Sequence, residues 1–525
     1  MASVKVNDTL VSTAEAEPSS SRDFTFKTAK RTGKDAGVIT DEAENEINRE
    51  EVLTALNADE EKRLIRRVDW RLVPILTMLY LVKKIDENNA SNARIMNKGT
   101  YRNIMTQLGV TSDDYGMITV LYTVPYIVAE TPFTLLVKKV RPSRWQSRIM
   151  LSWGVVTACT AAVTNRAGLY AVRFMLGVTE ASMYPTIVLH LTYWYRPDEI
   201  AVRMVWVYVV GNTAGIIGGL LAYAFHNISG AGNISGWQWL FIVEGAATVL
   251  LSFVVFVFLP DFPATAKWLS PTERAFLQTR LPENSPRAAE KDFDVKEIIT
   301  SLRDRRLWLF TLMSALITSG SSGVKFYQPT IIANMGFSDI ATAQILNIPM
   351  SVLAIIFIIL CGYGSDRYPQ IPLPVFHIVC TAVIIACYSV LVAYPNDIGV
   401  YIAMMIGNAA AGAHVPIKWA WRAQTMTGAT GSAFAIAFVG SCGQTGDAIG
   451  PQMFKESYSP RYQLPFGLSM GLIALCGLVI GYTWWVTRQT ERDTRMHKIA
   501  RRKAKRKNET VLDDVSDHDL ERRLV

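Results

Sequence analysis

The sequence predicts an all-α membrane protein in which twelve transmembrane helices form two six-helix bundles. Half of the 525 residues are hydrophobic and only 19% are charged, whereas an average soluble domain carries about 25% charged residues. Apolar segments of helical length recur from Trp70 onward with short breaks, and one longer polar segment follows the sixth of them. Basic residues are concentrated in alternate loops, as is typical of loops that face the cytosol. This composition excludes a disordered chain and a disulfide-stabilised scaffold.

Each apolar segment is assigned as a helix because about 20 apolar residues are needed to cross the hydrocarbon core of a bilayer. The twelve expected spans are residues 70–92, 115–137, 146–164, 168–194, 201–225, 238–259, 307–330, 340–361, 372–393, 398–422, 431–453 and 463–487. The N-terminal bundle therefore covers 70–260, and the C-terminal bundle covers 307–487. A polar N-terminal tail (1–69), a central linker (261–306) and a basic C-terminal tail (488–525) complete the chain.

The distribution of basic residues predicts the orientation of the chain. Residues 138–148, the central linker and residues 501–506 are rich in Lys and Arg, whereas most of the predicted outer loops contain few. The loop near 95–105 is a mild exception, because it is predicted to face outward but contains basic residues. We therefore expect both termini and the central linker in the cytosol. Basic residues beside the anionic inner leaflet account for the net charge of +8 without a nucleic-acid partner.

Two sequons and several missing motifs narrow the class of protein further. The sequons Asn227-Ile228-Ser229 and Asn233-Ile234-Ser235 fall in the predicted outer loop after span five, so Asn227 and Asn233 are candidate glycosylation sites. The sequence has no phosphate-binding loop, serine-hydrolase elbow or zinc-protease motif, and its six cysteines lack metal-ligand spacing. We expect no enzymatic activity, no cofactor and no bound metal.

The first span is unusual because only its first half is apolar. Leu72 to Val82 covers roughly half of the hydrocarbon thickness, and the charged run Lys83-Lys84-Ile85-Asp86-Glu87-Asn88-Asn89 follows. A segment that failed to cross would place the basic loops outside, so we expect the polar half to cross against protein or a water-filled cavity. Lys83 is spaced to pair with Asp86 and Glu87 on the same helix. The run is either a self-neutralised cluster that tolerates burial or, as we favour, a cavity wall that contacts a polar substrate.

Several motifs along the chain resemble one transporter family. They include Asp69-Trp70-Arg71-Leu72-Val73-Pro74, the segment from Arg173 to Ala181, and the segment from Trp237 to Gly245. Together they resemble the allantoate permease family, a mainly fungal branch of the major facilitator superfamily also called anion:cation symporters. The resemblance implies two six-helix bundles that rock around a site near the membrane midplane. Gly362, Asp366 and Arg367 match the inner-loop gating motif of that superfamily, whereas Glu87 stands where the family usually has Arg.

Charged residues inside the other spans are the remaining candidates for a site. In span four, Arg173, Gly177 and Glu180 share one helix face. This face carries either a salt bridge that sets packing or an anion anchor beside a proton-responsive acid. Glu130 is an isolated carboxylate in span two, and burial favours the neutral form of such a group. It is either a structural acid or a group that exchanges protons.

In the second half, Lys325 and Gln328 lie near the outer end of span seven, and His414 and Lys418 lie one turn apart in span ten. Both lysines have a simpler explanation, in which they extend toward the headgroups. The candidate substrate-binding residues are Lys83, Lys84, Asn88, Asn89, Arg173, Lys325, Gln328, His414 and Lys418. The candidate proton-coupling residues are Asp86, Glu87, Glu130 and Glu180.

These features predict a proton-coupled secondary active transporter that imports a small organic anion or zwitterion, such as a carboxylate, an amide or a vitamin-like nutrient, by alternating access. The family resemblance implies a monomer in the plasma membrane. Two alternatives stay open at this level. One is a proton-antiport exporter of a secondary metabolite, and the other is a nutrient receptor that does not transport.

Overall fold

The computed structural model describes residues 28–30, 49–137, 140–281, 295–334, 345–425, 429–459 and 461–511, and these are almost entirely helical. The twelve spans are, in order, Ala58–Ile95, Ser112–Val137, Pro142–Cys159, Arg166–Glu180 with Met183–Trp194, Pro197–Asn227, Gly236–Phe258, Arg305–Asn334, Asn347–Arg367, Leu373–Ala393, Asp397–Ala423, Ala429–Gln452 and Gln463–Arg506. The shorter helices are Arg49–Thr54, Ile104–Leu108, Pro271–Thr279 and Val295–Arg303, with 3-10 turns at Thr160–Ala162, Ala231–Asn233, Pro263–Thr265 and Glu456–Tyr458. One antiparallel sheet pairs Thr28–Lys30 with Glu509–Val511.

The helix contacts reveal an internal repeat. Span one packs against span five, span two against span four, and span three against span six. The same pairs recur in the second half, where span seven packs against span eleven, eight against ten, and nine against twelve. The two halves meet where span two contacts span eleven and span five contacts span eight. Two repeats related by an axis along the membrane normal produce this pattern, and the predicted two-bundle fold is confirmed.

Eight of the helices in the described ranges are long and apolar enough to cross a bilayer by length and composition. Spans one, three, four and eleven are the exceptions. Span one carries the charged run, and span four is broken into two shorter helices. Lipid-facing positions remain apolar, and Leu250, Phe253 and Val257 of span six are all exposed. The charged side chains of span four, Arg173 and Glu180, are buried within the protein, where protein groups rather than lipid surround them.

Span four differs from the continuous helix predicted over 168–194. It breaks after Glu180, and Ser182 adopts a left-handed backbone conformation with φ +70°. Such a conformation is unfavourable for a residue with a Cβ. The hydroxyl of Ser182 accepts a hydrogen bond of 3.1 Å from Trp145 Nε1 of span three. This tertiary contact supports the break, and Pro185 is its local sequence signal, because a proline in the first turn of the following helix cannot continue the hydrogen bonding of the preceding helix.

Other helix boundaries also differ from the prediction. The last helix continues to Arg506 instead of ending at 487, so the start of the expected C-terminal tail is helical. Span eight ends at Arg367 instead of 361, and the expected start at residue 340 lies outside the described residues. The charged segment before span one joins it in one helix, which Asn57 caps by accepting hydrogen bonds from the backbone of Asp59 and Glu60.

Candidate substrate and proton site

A group of three charged side chains joins span one of the first half to span seven of the second half. Lys84 Nζ lies 2.5 Å from Glu87 Oε2, one turn along span one. Lys325 Nζ of span seven lies 2.8 Å from the other oxygen, Glu87 Oε1. We call Lys84, Glu87 and Lys325 the bridging triad. The side chain of Lys325 is 48% exposed and that of Glu87 is 36% exposed, so the triad borders open space between the halves.

Lys83 points away from the triad into the N-terminal half. Its ammonium lies 2.9 Å from Glu180 Oε1 of span four, and both side chains are buried. The rings of Tyr122 and Tyr126 lie 6.0 and 5.1 Å from Lys83 Nζ. The prediction that Lys83 pairs with Asp86 or Glu87 was therefore wrong. Successive helical residues point about 100° apart, so Lys83 faces span four while Lys84 faces span seven.

Behind Lys83, further buried polar groups form what we call the interior cluster, which consists of Asp86, Asn89, Arg173 and Glu244. Trp153 Nε1 donates a 2.8 Å hydrogen bond to Asp86 Oδ2, and Asn89 Nδ2 donates a 2.6 Å bond to Glu244 Oε2. The guanidinium of Arg173 lies 5.4 Å from the ring of Phe241. The described residues include no carboxylate within ion-pair distance of Arg173.

The predicted polar face of span four is present, but its members contact different groups. Glu180 pairs with Lys83, whereas Arg173 lies in the interior cluster. Gly177 lies between them where span four meets span two, and an added Cβ would overlap the backbone carbonyl of Tyr122. Gly177 therefore permits a close helix contact and supplies no charge.

Glu130 lies apart from both groups, in the contact between spans two and eleven. It is fully buried, and neither carboxylate oxygen makes a hydrogen bond among the described residues. Its oxygen Oε1 would lie 2.9 Å from a Cβ added to Gly440 of span eleven. Glu130 is thus an acid in an interface between the halves.

The polar residues of the second half form two groups. Gln328 Nε2 donates a 2.6 Å hydrogen bond to Asn347 Oδ1 of span eight, and Asn408 of span ten donates to Gln328 Oε1. Deeper in this half, His414 Nδ1 lies 2.8 Å from His377 Nδ1 of span nine. Lys418 Nζ donates a 2.6 Å hydrogen bond to Ser314 Oγ of span seven.

His414 and Lys418 are both buried, and they line a small cavity of about 30 Å³ with His377 and Thr318. The structure therefore does not bring them to the bridging triad. Sequence reasoning missed Asn347, Asn408 and His377 as members of these groups. The partner of each lies on another span, so spacing along one helix does not reveal the contact.

The inner-loop motif makes contacts of two kinds. A Cβ added to Gly362 would lie 2.5 Å from Val205 of span five, so this glycine permits the close approach of the two halves. Asp366 pairs with Lys498 at 3.0 Å and with Arg502 at 2.7 Å, both on the extended last helix. Arg367 is exposed.

The bridging triad lies between two aromatic contact layers. At one end, the guanidinium of Arg94 lies 4.2 Å from the ring of Tyr327, and Tyr327 stacks on Phe454. Toward the other end, Tyr184 of span four packs against Trp419 of span ten with ring centroids 5.9 Å apart. Each layer joins one half to the other. The candidate glycosylation residues Asn227 and Asn233 are exposed at the end of span five and in the turn after it.

Two repeated six-helix halves with a charged group between them are the architecture of many secondary transporters. Comparison with known proteins gives the family, because residues 91–451 match the model of the Major Facilitator Superfamily. The chain belongs to that superfamily.

Two relatives show how far this similarity extends. The chain is 29% identical over 448 residues to "MFS transporter prlL" of Fungal sp. (strain NRRL 50135), covering 84% of this chain and 90% of the relative. It is also 29% identical over 400 residues to the "Putative tartrate transporter" of Agrobacterium vitis, covering 76% of this chain and 89% of the relative.

Solved structures share the fold. The human organic anion transporter MFSD10 (TETRAN) aligns with a TM-score of 0.57 at 13% identity, covering 78% of this chain and 99% of that protein. An inward-facing bacterial homolog of the human lysosomal transporter Spinster aligns with a TM-score of 0.55 at 14% identity, covering 80% and 96%.

Proposed function

We propose that the protein is a proton-coupled symporter that imports a small organic anion, as its resemblance to the allantoate permease family implies. The bridging triad is the observation that carries this proposal. Two cations from opposite halves, Lys84 and Lys325, share the carboxylate Glu87. The carboxyl group of Asp447 on span eleven also interacts electrostatically with both lysines, so one positive charge is in excess when Asp447 is protonated. An anion between the two lysines would offset that charge and contact both halves, which alternating access requires of a substrate.

The neighbouring amides suit the same ligand. Asn88 is half-buried on span one beside the triad, and Gln328 lies one turn beyond Lys325 on span seven. Amide N–H groups and lysine ammonium groups both donate hydrogen bonds to carboxylate oxygens. The relative named for tartrate supports a carboxylate as the substrate class. His414 and Lys418 lie behind this site and would shape it from inside the second half.

An excess of buried acids supports proton coupling. The first half buries Asp86, Glu130, Glu180 and Glu244 beside two bases, Lys83 and Arg173. A third buried base, Arg94, lies farther along span one and donates a hydrogen bond to Ser112. Uncompensated charge in a low-dielectric interior is costly, and protons bound to the carboxylates remove it. We assign proton coupling to Asp86, Glu87, Glu130 and Glu180. The basic inner loops support a plasma-membrane orientation with cytosolic termini, and we propose a monomer as the transporting unit.

The test is uptake by purified protein in liposomes, with radiolabelled tartrate and a panel of mono- and dicarboxylates. With an acidic exterior, we expect at least one anion to accumulate, and a protonophore should abolish the accumulation. Lys84→Ala and Lys325→Ala should each lower uptake about tenfold or more, because each removes a charge-assisted contact.

Lys98→Ala is the matched control because Lys98 is exposed in the loop after span one and makes no ion pair among the described residues. It should transport like the parent protein. The proposal fails if no carboxylate moves under any gradient, or if both triad variants transport as well as the control.

A further inference from the structure

Glu130 is held in an environment that suits a neutral acid. Its side chain is fully buried, and the described residues place no basic group within ion-pair distance of it. The hydroxyl of Ser441 on span eleven faces the carboxyl group but lies outside hydrogen-bonding geometry. A carboxylate that is charged in such a place is strongly disfavoured, whereas the protonated form is tolerated.

The other titratable groups around Glu130 do not offer a counter-charge at contact. Tyr126 lies one turn earlier on the same helix and separates Glu130 from Lys83, whose ammonium is 5.1 Å from the Tyr126 ring. Lys83 is itself paired with Glu180 of span four. On span eleven the thiol of Cys442 interacts electrostatically with Glu130. Among the described residues, none of these groups forms an ion pair with Glu130.

Gly440 makes room for this carboxyl group. A Cβ at position 440 would lie 2.9 Å from Glu130 Oε1, closer than a side-chain carbon normally approaches. The contact belongs to the interface of spans two and eleven, one of the two main contacts between the halves. Glu130 lies toward the Val137 end of span two, whereas Gly116, near the other end, accepts a hydrogen bond from Gln452.

We propose that Glu130 and Gly440 form a proton-controlled latch between the two halves. With Glu130 protonated, spans two and eleven pack closely at this level. When the halves separate on the side of Val137, water reaches the carboxyl group, the proton leaves to solvent, and the resulting charge opposes repacking, which holds this end open while the substrate leaves. Gly440 is a positioning residue, because its lack of a side chain lets the neutral acid fit. The inference rests on the proposed symport and deepens it.

The first experiment measures the latch without any substrate. Two spin labels report the separation of the halves, one attached at Leu136→Cys of span two and one at Trp308→Cys of span seven. Both positions are exposed and lie at the same end of the bundle. In a background without native cysteines, we expect a short distance at pH 5 and a larger population of long distances at pH 8. Glu130→Gln cannot ionise and should keep the short distance at both pH values. An unchanged pH response in Glu130→Gln would overturn the latch.

The second experiment tests the role of Gly440. Gly440→Ala should displace the carboxyl group and shift the distance distribution toward the long component at both pH values. The double variant Glu130→Ala with Gly440→Ala removes the overlap between the new Cβ and the carboxyl group, so it should restore the short distance. This double variant also tests the latch if Gly440→Ala alone folds poorly. Gly471→Ala in span twelve is the control, because its added Cβ meets nothing within 4 Å. A double variant that stays open would refute the assignment of Gly440.

The outcomes separate the two proposals. If the parent protein shows the pH-dependent distance change but transports no anion, the proposed substrate and symport fail while the latch stands. If proton-driven uptake is present and Glu130→Gln both accumulates substrate and responds to pH like the parent, the latch fails while the symport stands.

Discussion

The contact between Lys83 and Glu180 gives the most quantitative prediction. The two charges are 2.9 Å apart, and both side chains are more than nine-tenths buried. With an effective dielectric constant of about 20, their Coulomb attraction is about 6 kcal/mol, an upper limit because desolvation opposes it. Lys83→Met removes one partner and leaves Glu180 buried without a counter-charge. We expect it to lower the free energy of unfolding by about 3–5 kcal/mol.

The assay is unfolding by SDS titration in mixed micelles, followed by tryptophan fluorescence. Glu180→Gln and the double variant Lys83→Met with Glu180→Gln complete a double-mutant cycle, which isolates the energy of the pair. The double variant should be less destabilised than the sum of the single variants, since it leaves no unpaired charge. A coupling energy below about 1 kcal/mol would show that the two groups do not stabilise each other.

Two further predictions concern helix packing. Arg280 is fully buried and its guanidinium lies 2.7 Å from Glu199 Oε2. Arg280→Ala should therefore lower the free energy of unfolding by about 3–5 kcal/mol and reduce the amount of protein in the membrane. A near-normal melting temperature and near-normal expression would contradict this prediction. Gly177→Ala should prevent spans two and four from packing, because the new Cβ overlaps the carbonyl of Tyr122. Size-exclusion profiles should show aggregation for Gly177→Ala and a normal monodisperse peak for Gly471→Ala; equal profiles would contradict the close contact.

The position of the charged run explains how one helix can serve several functions. Span one packs against span five within its own half and also contacts span seven of the other half. Lys84 and Glu87 therefore reach the space between the halves, while Lys83 and Asp86 reach the interior of the first half. The intramembrane charges are tolerated because each face of the helix meets polar partners rather than lipid.

Much of the fold could be predicted because its signals are local. A run of apolar residues predicts a span whatever it packs against, and the basic loops predict an orientation. The two-bundle fold followed from these signals and was confirmed. The helix boundaries were less accurate. The break at Ser182 was missed although Pro185 is a local signal for it, and a hydrogen bond from Trp145 of span three supports the break.

The sequence by itself determined which residues carry charge inside the membrane, and it placed them on spans one, two, four, six, seven, ten and eleven. Only the tertiary structure decided which of them meet. Helical spacing suggested that Lys83 pairs with Glu87, but Lys83 pairs with Glu180 and Glu87 with Lys84 and Lys325. The tertiary structure also placed Glu130 against Gly440, which is far away in the sequence. The physical reason is that buried charges find partners through helix packing, which depends on the shapes of whole helix faces and not on spacing along one helix.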